Sequence, residues 1–229
     1  MCYPTAMKKP VRALGDVTRQ ANKKLRRERI FSIAKRQIAA KGLEDFTISE
    51  LAEEAGVSTP TIHNLFGKKD DIAKELIEEL VLALQNIMSK PVFNDPIESA
   101  VFYVDSILEM YKGKEDFYRS AYMAGEKAGI FEDRESVDSL YQQSLNLAEL
   151  CCIGALKHGF LLGNIYTSVL TRQLYECHRS GRQDWVNGYI SLNEYHDQVL
   201  ESMLLIYAAD ASPECHKRII SEMNRVNSK

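Results

Sequence analysis

Between Thr59 and Asn64 the chain sets Thr59, Pro60, Thr61, His63 and Asn64 around a single apolar Ile62. These are short polar groups gathered at the start of a short helical pattern. Side chains of that kind donate and accept hydrogen bonds at close range, which is what reading base edges in a DNA major groove requires. Other chemistries lack their residues. The sequence has no nucleophile–base pair, no glycine-rich phosphate loop and no Cys/His set at zinc-ligand spacing. It therefore reads as a non-enzyme, with no catalytic residues, no metal and no cofactor.

A helix of about two turns does not hold in water by itself, so other elements must present this one. Thr47 stands three residues before Glu50, the spacing of a capping box. Ile48, Leu51, Ala52 and Ala55 then mark one apolar face. Gly56 suits a left-handed helix end, and Val57 can fill the gap to a second helix. Ser58 can cap that helix, with Pro60 in its first turn. Ile62, Leu65 and Phe66 face inward. The same spacing also fits a plain helical hairpin inside an all-α domain. Upstream, Arg26–Gly42 forms an amphipathic helix with Ile30, Phe31, Ile33, Ala34, Ile38 and Ala39 on its buried side.

The run resembles the DNA-binding domain of the tetracycline-repressor (TetR) family. The matching residues are I-x-x-I-A at Ile30–Ala34, K-G at Lys41–Gly42, F-T-I-S-E-L-A at Phe46–Ala52, A-G-V-S at Ala55–Ser58 and T-I-H-N-L-F-G-K-K-D-D-I at Thr61–Ile72. The chain departs from the family pattern at His63, usually an aromatic, and at Leu65, usually Tyr or His. The resemblance implies base and phosphate contacts from Ser58, Thr59, Pro60, Thr61, His63 and Asn64. It also implies that Thr47, Lys68 and Lys69 hold the phosphate backbone. A helix from near Lys69 to about Ser89, striped by Ile72, Leu76, Leu80, Leu84 and Ile87, would join this head to a body and act as a lever.

Charge distribution agrees with a nucleic-acid partner. Residues 1–69 hold 14 Lys and Arg against 7 Asp and Glu; the remainder holds 15 against 25, giving the net charge of −3. A basic head on an acidic body concentrates cations where phosphates would lie. Apolar content of 45% and charged content of 27% are those of a globular protein. No apolar run reaches the roughly 20 residues that span a bilayer, and the first ten residues lack the apolar core of a secretory signal. Five cysteines, Cys2, Cys151, Cys152, Cys177 and Cys215, show no paired spacing. These features lead to a cytoplasmic, membrane-free expectation.

The expected architecture is all-α: a basic flexible tail over 1–22, a three-helix helix-turn-helix domain over 23–68 and a larger helical ligand-binding and dimerisation domain over 69–229, with 69–89 connecting. Within the body, helices are expected from Asn94 or Asp95 to about Lys112, over Glu115–Ala124, over Glu135–His158, over Ile165–Asn187, from the capping box Ser191-x-x-Glu194, and from Pro213 to about Val226. Phe102, Tyr103, Met110, Tyr118, Tyr122 and His158 lie where such a family places its pocket, and suit a small apolar or aromatic effector. Leu170, Leu174, Trp185, Leu192, Tyr195, Val199, Met203 and Ile206 form apolar stripes at near-heptad spacing. They could be core or half of an intermolecular four-helix bundle; the resemblance implies the latter, a homodimer reading a palindromic operator in double-stranded DNA. The expected function is a dimeric sequence-specific regulator, a repressor released by a small molecule. The alternative is a helical binding module whose hairpin no longer reads DNA.

Overall fold

The computed structural model describes residues 14–88, 94–127, 129, 131, 133–136 and 139–226. Among these residues there are ten helices and no strand, only an isolated bridge between Leu161 and Ala211. The protein is all-α. Helix α1 spans Leu14–Asp45, α2 Ile48–Glu54, α3 Thr59–Phe66, α4 Lys69–Met88 and α5 Pro96–Tyr111. Then follow α6 Glu115–Lys127, α7 Leu140–Lys157, α8 Thr167–Val186, α9 Leu192–Ala208 and α10 Pro213–Val226. No helix among the described residues is long and apolar enough to cross a membrane.

Two apolar cores organise these helices. The first gathers Ile30, Ala34 and Ile38 of α1, Leu51 and Ala52 of α2, Ile62 and Phe66 of α3, and Ile72, Ala73 and Leu76 of α4. The second runs through α5 to α10 around Tyr111, Trp185, Tyr195 and Tyr207, all at most 1% exposed. Helix α4 serves both: Leu76 belongs to the head core and Ile77 to the body core. Helix α6 does the same, with Phe117 packed on the head core and Ala121 and Tyr122 inside the body core. The side chains of Leu80, Leu84, Ile87, Leu140 and Leu147 lie outside the described residues, as does the tail before residue 14.

Local chemistry explains the helix ends. Helix α1 begins at Leu14, earlier than the apolar pattern indicates, and breaks at Gly42, whose φ of 76° and ψ of 167° are not helical. Its stretch from Arg19 to Arg26 is exposed on every side, so no apolar stripe announced it. Asp95 caps α5 by accepting the Ile97 N–H at 2.8 Å. Ser139 starts α7 later than 135, accepting the Gln142 N–H at 3.2 Å. Ser191 and Glu194 form a reciprocal box at α9, with bonds of 3.2 and 2.7 Å. Gly125 does not end α6, which continues to Lys127 with Gly125 buried.

The seam residues lie mostly inside the single chain. Leu170, Leu174, Trp185, Leu192, Tyr195, Val199 and Met203 are each at most 6% exposed in the single chain. Only Ile206 is half-buried. Their stripes are consumed between α8, α9 and the rest of the body core, so these seven side chains have no area left to bury against a second chain. The helices cross closely because residue 181 is glycine: a Cβ there would stand 2.7 Å from Val199 Cγ2. Near-heptad spacing marks a helix–helix seam but does not say whether the seam lies within one chain or between two.

Candidate nucleic-acid interface and body core

In the head the hairpin is closed by its turn. Gly56 takes φ 64°, and the Val57 N–H returns to the Ala52 carbonyl at 2.9 Å. Thr47 caps α2: its Oγ1 accepts the Glu50 N–H at 3.2 Å and its hydroxyl donates to Glu50 Oε2 at 2.7 Å. Lys41 Nζ donates to the same carboxylate oxygen at 2.5 Å. The Glu50 carboxylate takes an ammonium, a hydroxyl and the Thr47 backbone N–H, and these bonds, Lys41 first, hold it below the usual range. The Thr47 hydroxyl proton is committed to Glu50.

Helix α3 turns Ile62 and Phe66 inward and leaves Pro60, His63 and Asn64 exposed, with Thr59 and Thr61 half-exposed. Ser58 stands at the cap position, but its hydroxyl bonds the Thr61 hydroxyl at 2.9 Å rather than a backbone N–H. His63 Nδ1 donates to the Gly67 carbonyl at 2.9 Å. A carbonyl only accepts, so Nδ1 carries the proton, and in the neutral ring Nε2 is left as an acceptor. Such a nitrogen suits an exocyclic base amine better than a phosphate.

The two lysines part company. Lys68 is exposed, and its backbone N–H donates to Asp71 Oδ2 at 2.7 Å, starting α4. Lys69 Nζ donates to the Glu44 carbonyl at 2.8 Å and ties α4 to the end of α1. Arg27 has a similar tying role unforeseen in the sequence. It grips Glu75 of α4 with bonds of 2.5 and 2.6 Å, donates to the Leu65 carbonyl at 3.3 Å and stacks over Phe66 at 4.6 Å. The α1 extension brings exposed Arg19, Lys23, Lys24 and Arg26 alongside these groups on the head. Their charge was legible, but their placement on a helix was not.

The six expected pocket residues do not share one cavity. Met110 and Tyr118 line an open cleft of about 860 Å³ between α1, α4 and the α5–α6 turn, together with Lys35, Arg36, Leu76 and Glu79. Tyr103 borders a void of about 10 Å³ beside His178 and Cys151, room for about one water. Tyr122 is buried and bonds the Tyr111 hydroxyl at 2.8 Å. Phe102 packs on the rim of the body core. His158 belongs to none of these. It is exposed and caps α7, its Nδ1 donating to the Gly154 carbonyl at 3.0 Å.

A different polar group occupies the body core. Arg182 is 5% exposed, with its guanidinium over Tyr122 at 4.6 Å and over Phe131 at 5.1 Å. His178, one turn earlier on α8, packs edge-on against Tyr103 at 5.4 Å. Burial, and then the Arg182 charge, push its imidazole down to about 3. Trp185, one turn later, stacks on Tyr111 at 4.9 Å. The only sequence signal was a stripe already marked by Leu174, Gly181 and Trp185; a lone arginine beside it reads as solvated surface.

Residues 30–76 match the family model described as bacterial regulatory proteins, tetR family. The head is thus similar to the DNA-binding domain of that family. The fold of the whole chain is likewise that of TetR regulators. A TetR-family transcriptional regulator from Marinobacter aquaeolei gives a TM-score of 0.61 at 15% identity, covering 87% of this chain and 98% of that one. A gamma-butyrolactone receptor, an ArpA-like protein, gives 0.57 at 15% identity over 90% of this chain and 98% of its own. The transcriptional repressor QsdR of R. erythropolis, also of the TetR family, gives 0.53 at 17% identity over 80% and 95%. No curated protein matches the chain. In this TetR-like frame α3 is the second helix of the helix-turn-helix and α4 leads into the body.

Proposed function

We propose that the protein is a dimeric, sequence-specific DNA-binding repressor whose hold on its operator is released by a small molecule in the body. The observation that carries this reading is the exposed face of α3, bearing Pro60, His63 and Asn64 on a rigid head within a segment that matches a family of bacterial regulators. The N-terminal end of such a helix enters the major groove. Thr59, Thr61, His63 and Asn64 then face base edges. Ser58, Lys68 and the α1 cations Arg19, Lys23, Lys24 and Arg26 lie against phosphates. The side chains of Thr47 and Lys69 also hold the head together through Glu50 and Glu44, and Lys69 keeps two N–H groups for DNA.

A single hairpin touches few base pairs, so specificity calls for two heads about one helical turn apart. The dimer uses body surface other than the core stripes of α8 and α9. Release follows if the effector binds better to the conformation whose heads no longer fit adjacent major grooves. The existence of a gamma-butyrolactone receptor with the same fold supports a small-molecule effector as a class.

The decisive experiment is selection of bound fragments from a random DNA pool by the purified protein, followed by sequencing. The expected product is a palindrome with half-sites about one turn apart. Enrichment of a single half-site would overturn the dimer. No enrichment would overturn DNA reading and leave a helical binding module whose hairpin serves only the fold.

A further inference from the structure

The cluster on the inner face of α8 is unfinished as a piece of hydrogen bonding. His178, Arg182 and Trp185 stand at i, i+4 and i+7, on one side of the helix. His178 Nε2, Arg182 Nη2 and Trp185 Nε1 are buried without a hydrogen-bond partner, and so is the hydroxyl of Tyr195, which faces them from α9. Trp185 and Tyr195 rings lie 6.0 Å apart, and His178 and Tyr195 rings 6.1 Å apart. Among the described residues no carboxylate pairs with Arg182; the ionisable groups around it are neutral tyrosine hydroxyls, of which Tyr122 takes a hydrogen bond from it. A guanidinium keeps its charge at any physiological pH. Burying a guanidinium without an anion costs several kcal/mol, and two aromatic faces return only part of that. Native cores seldom leave so many donors unmade in one place.

We propose that this cluster is the effector subsite, and that it takes the carboxylate of a compact organic acid whose apolar or aromatic body lies among Tyr103, Tyr111 and Tyr122. A carboxylate matches a guanidinium with two parallel bonds and accepts from an indole N–H and a phenol besides. The inference deepens the reading of the body as a ligand domain and rests on it.

The same geometry carries the signal out. Of the two rings over Arg182, Tyr122 is the nearer, and an incoming acid must displace it. Tyr122 rides on α6, whose Phe117 is packed into the head core. Ser120, between them, backs onto the break in α1, its Oγ 3.2 Å from where a Gly42 Cβ would be. Displacement at Arg182 therefore reaches α1 through α6 without passing along α4.

The test uses the intact chain and no DNA, so it fails or succeeds independently of operator selection. Trp185 is the single tryptophan, and its emission reports the site directly. Benzoate, phenylacetate and octanoate are titrated beside their methyl esters, with emission and melting temperature as readouts. At least one acid should change the emission and raise the melting temperature by about 2–4 °C or more at saturation, while its ester does neither. Arg182→Met should melt at or above the wild-type temperature without ligand, because it removes a buried charge that no described carboxylate pairs, and should lose the acid response. Inertness of all three acids, equal effects of the esters, or an undiminished response in Arg182→Met would each overturn the proposal. Should Arg182→Met fail to fold, the acid–ester comparison on the wild type decides alone.

Discussion

The head core is apolar throughout: Ile30, Ile38, Leu51 and Ile62 are fully buried, and none of the buried polar residues among those described lies there. At its rim Arg27 pairs with Glu75, Lys35 with Glu79 and Arg36 with Glu54, and Gln37 Oε1 alone is buried without a partner among the described head residues. The body core buries Arg182, His178 and Thr171 and leaves polar atoms on all three unmade. An apolar core with a paired rim has one good packing and holds its shape. A core with unmade hydrogen bonds has a second state available to whatever supplies the partners. The contrast assigns rigidity to the half that must match a groove and adaptability to the half that must respond.

The sharpest way to break this contrast is to damage the rigid half. Ile62→Ala removes a fully buried side chain behind α3 and should cost about 2–5 kcal/mol, read by denaturant unfolding, with DNA binding lost before the body's acid response. If DNA binding survives unchanged, rigidity of the head is not what presents α3.

Acid tests the other half. His178 is held near 3 in the folded chain against an ordinary 6.5, so below 6.5 the unfolded chain takes up a proton that the folded body refuses. Stability is unaffected above 6.5 and falls as the pH drops from there towards 3. At pH 4 the loss amounts to roughly 3 kcal/mol. His178→Gln should flatten that part of the pH profile; a variant with the wild-type slope would place the proton uptake elsewhere.

On the DNA face the effects are smaller. Asn64→Ala or Thr61→Ala should cost about 1–3 kcal/mol on the selected site and little on random DNA in a competition assay. Equal losses on both would remove them from base reading. The lysines give the finest distinction. Lys68→Ala should lower the salt slope of binding by about one with no change in melting temperature. Lys69→Ala should also lower the melting temperature, because it releases the Glu44 carbonyl.

The sequence carried the head almost residue by residue, because short amphipathic helices with caps and a left-handed glycine leave local signatures. Thr47, Gly56 and Phe66 play the parts their spacing implied. It also placed the body helices, with ends that moved only where Ser139 or Gly125 overrode the pattern. It did not separate core from interface at Leu174 or Val199, since a helix seam has the same period in either use. It also did not separate Lys69 from Lys68. Whether an ammonium meets a phosphate or a carbonyl 25 residues away is a tertiary fact. Arg182 was missed for the same reason: nothing in its local sequence says that α5, α6 and α9 close over it.

Helix α6 has a consequence for how the molecule melts. Its Phe117 is mortared into one core and its Tyr122 into the other, as α4 is at Leu76 and Ile77. Neither half can come apart without exposing part of the other. Two cores joined by such party walls should give one calorimetric peak whose van't Hoff and calorimetric enthalpies agree, as a single cooperative unit does.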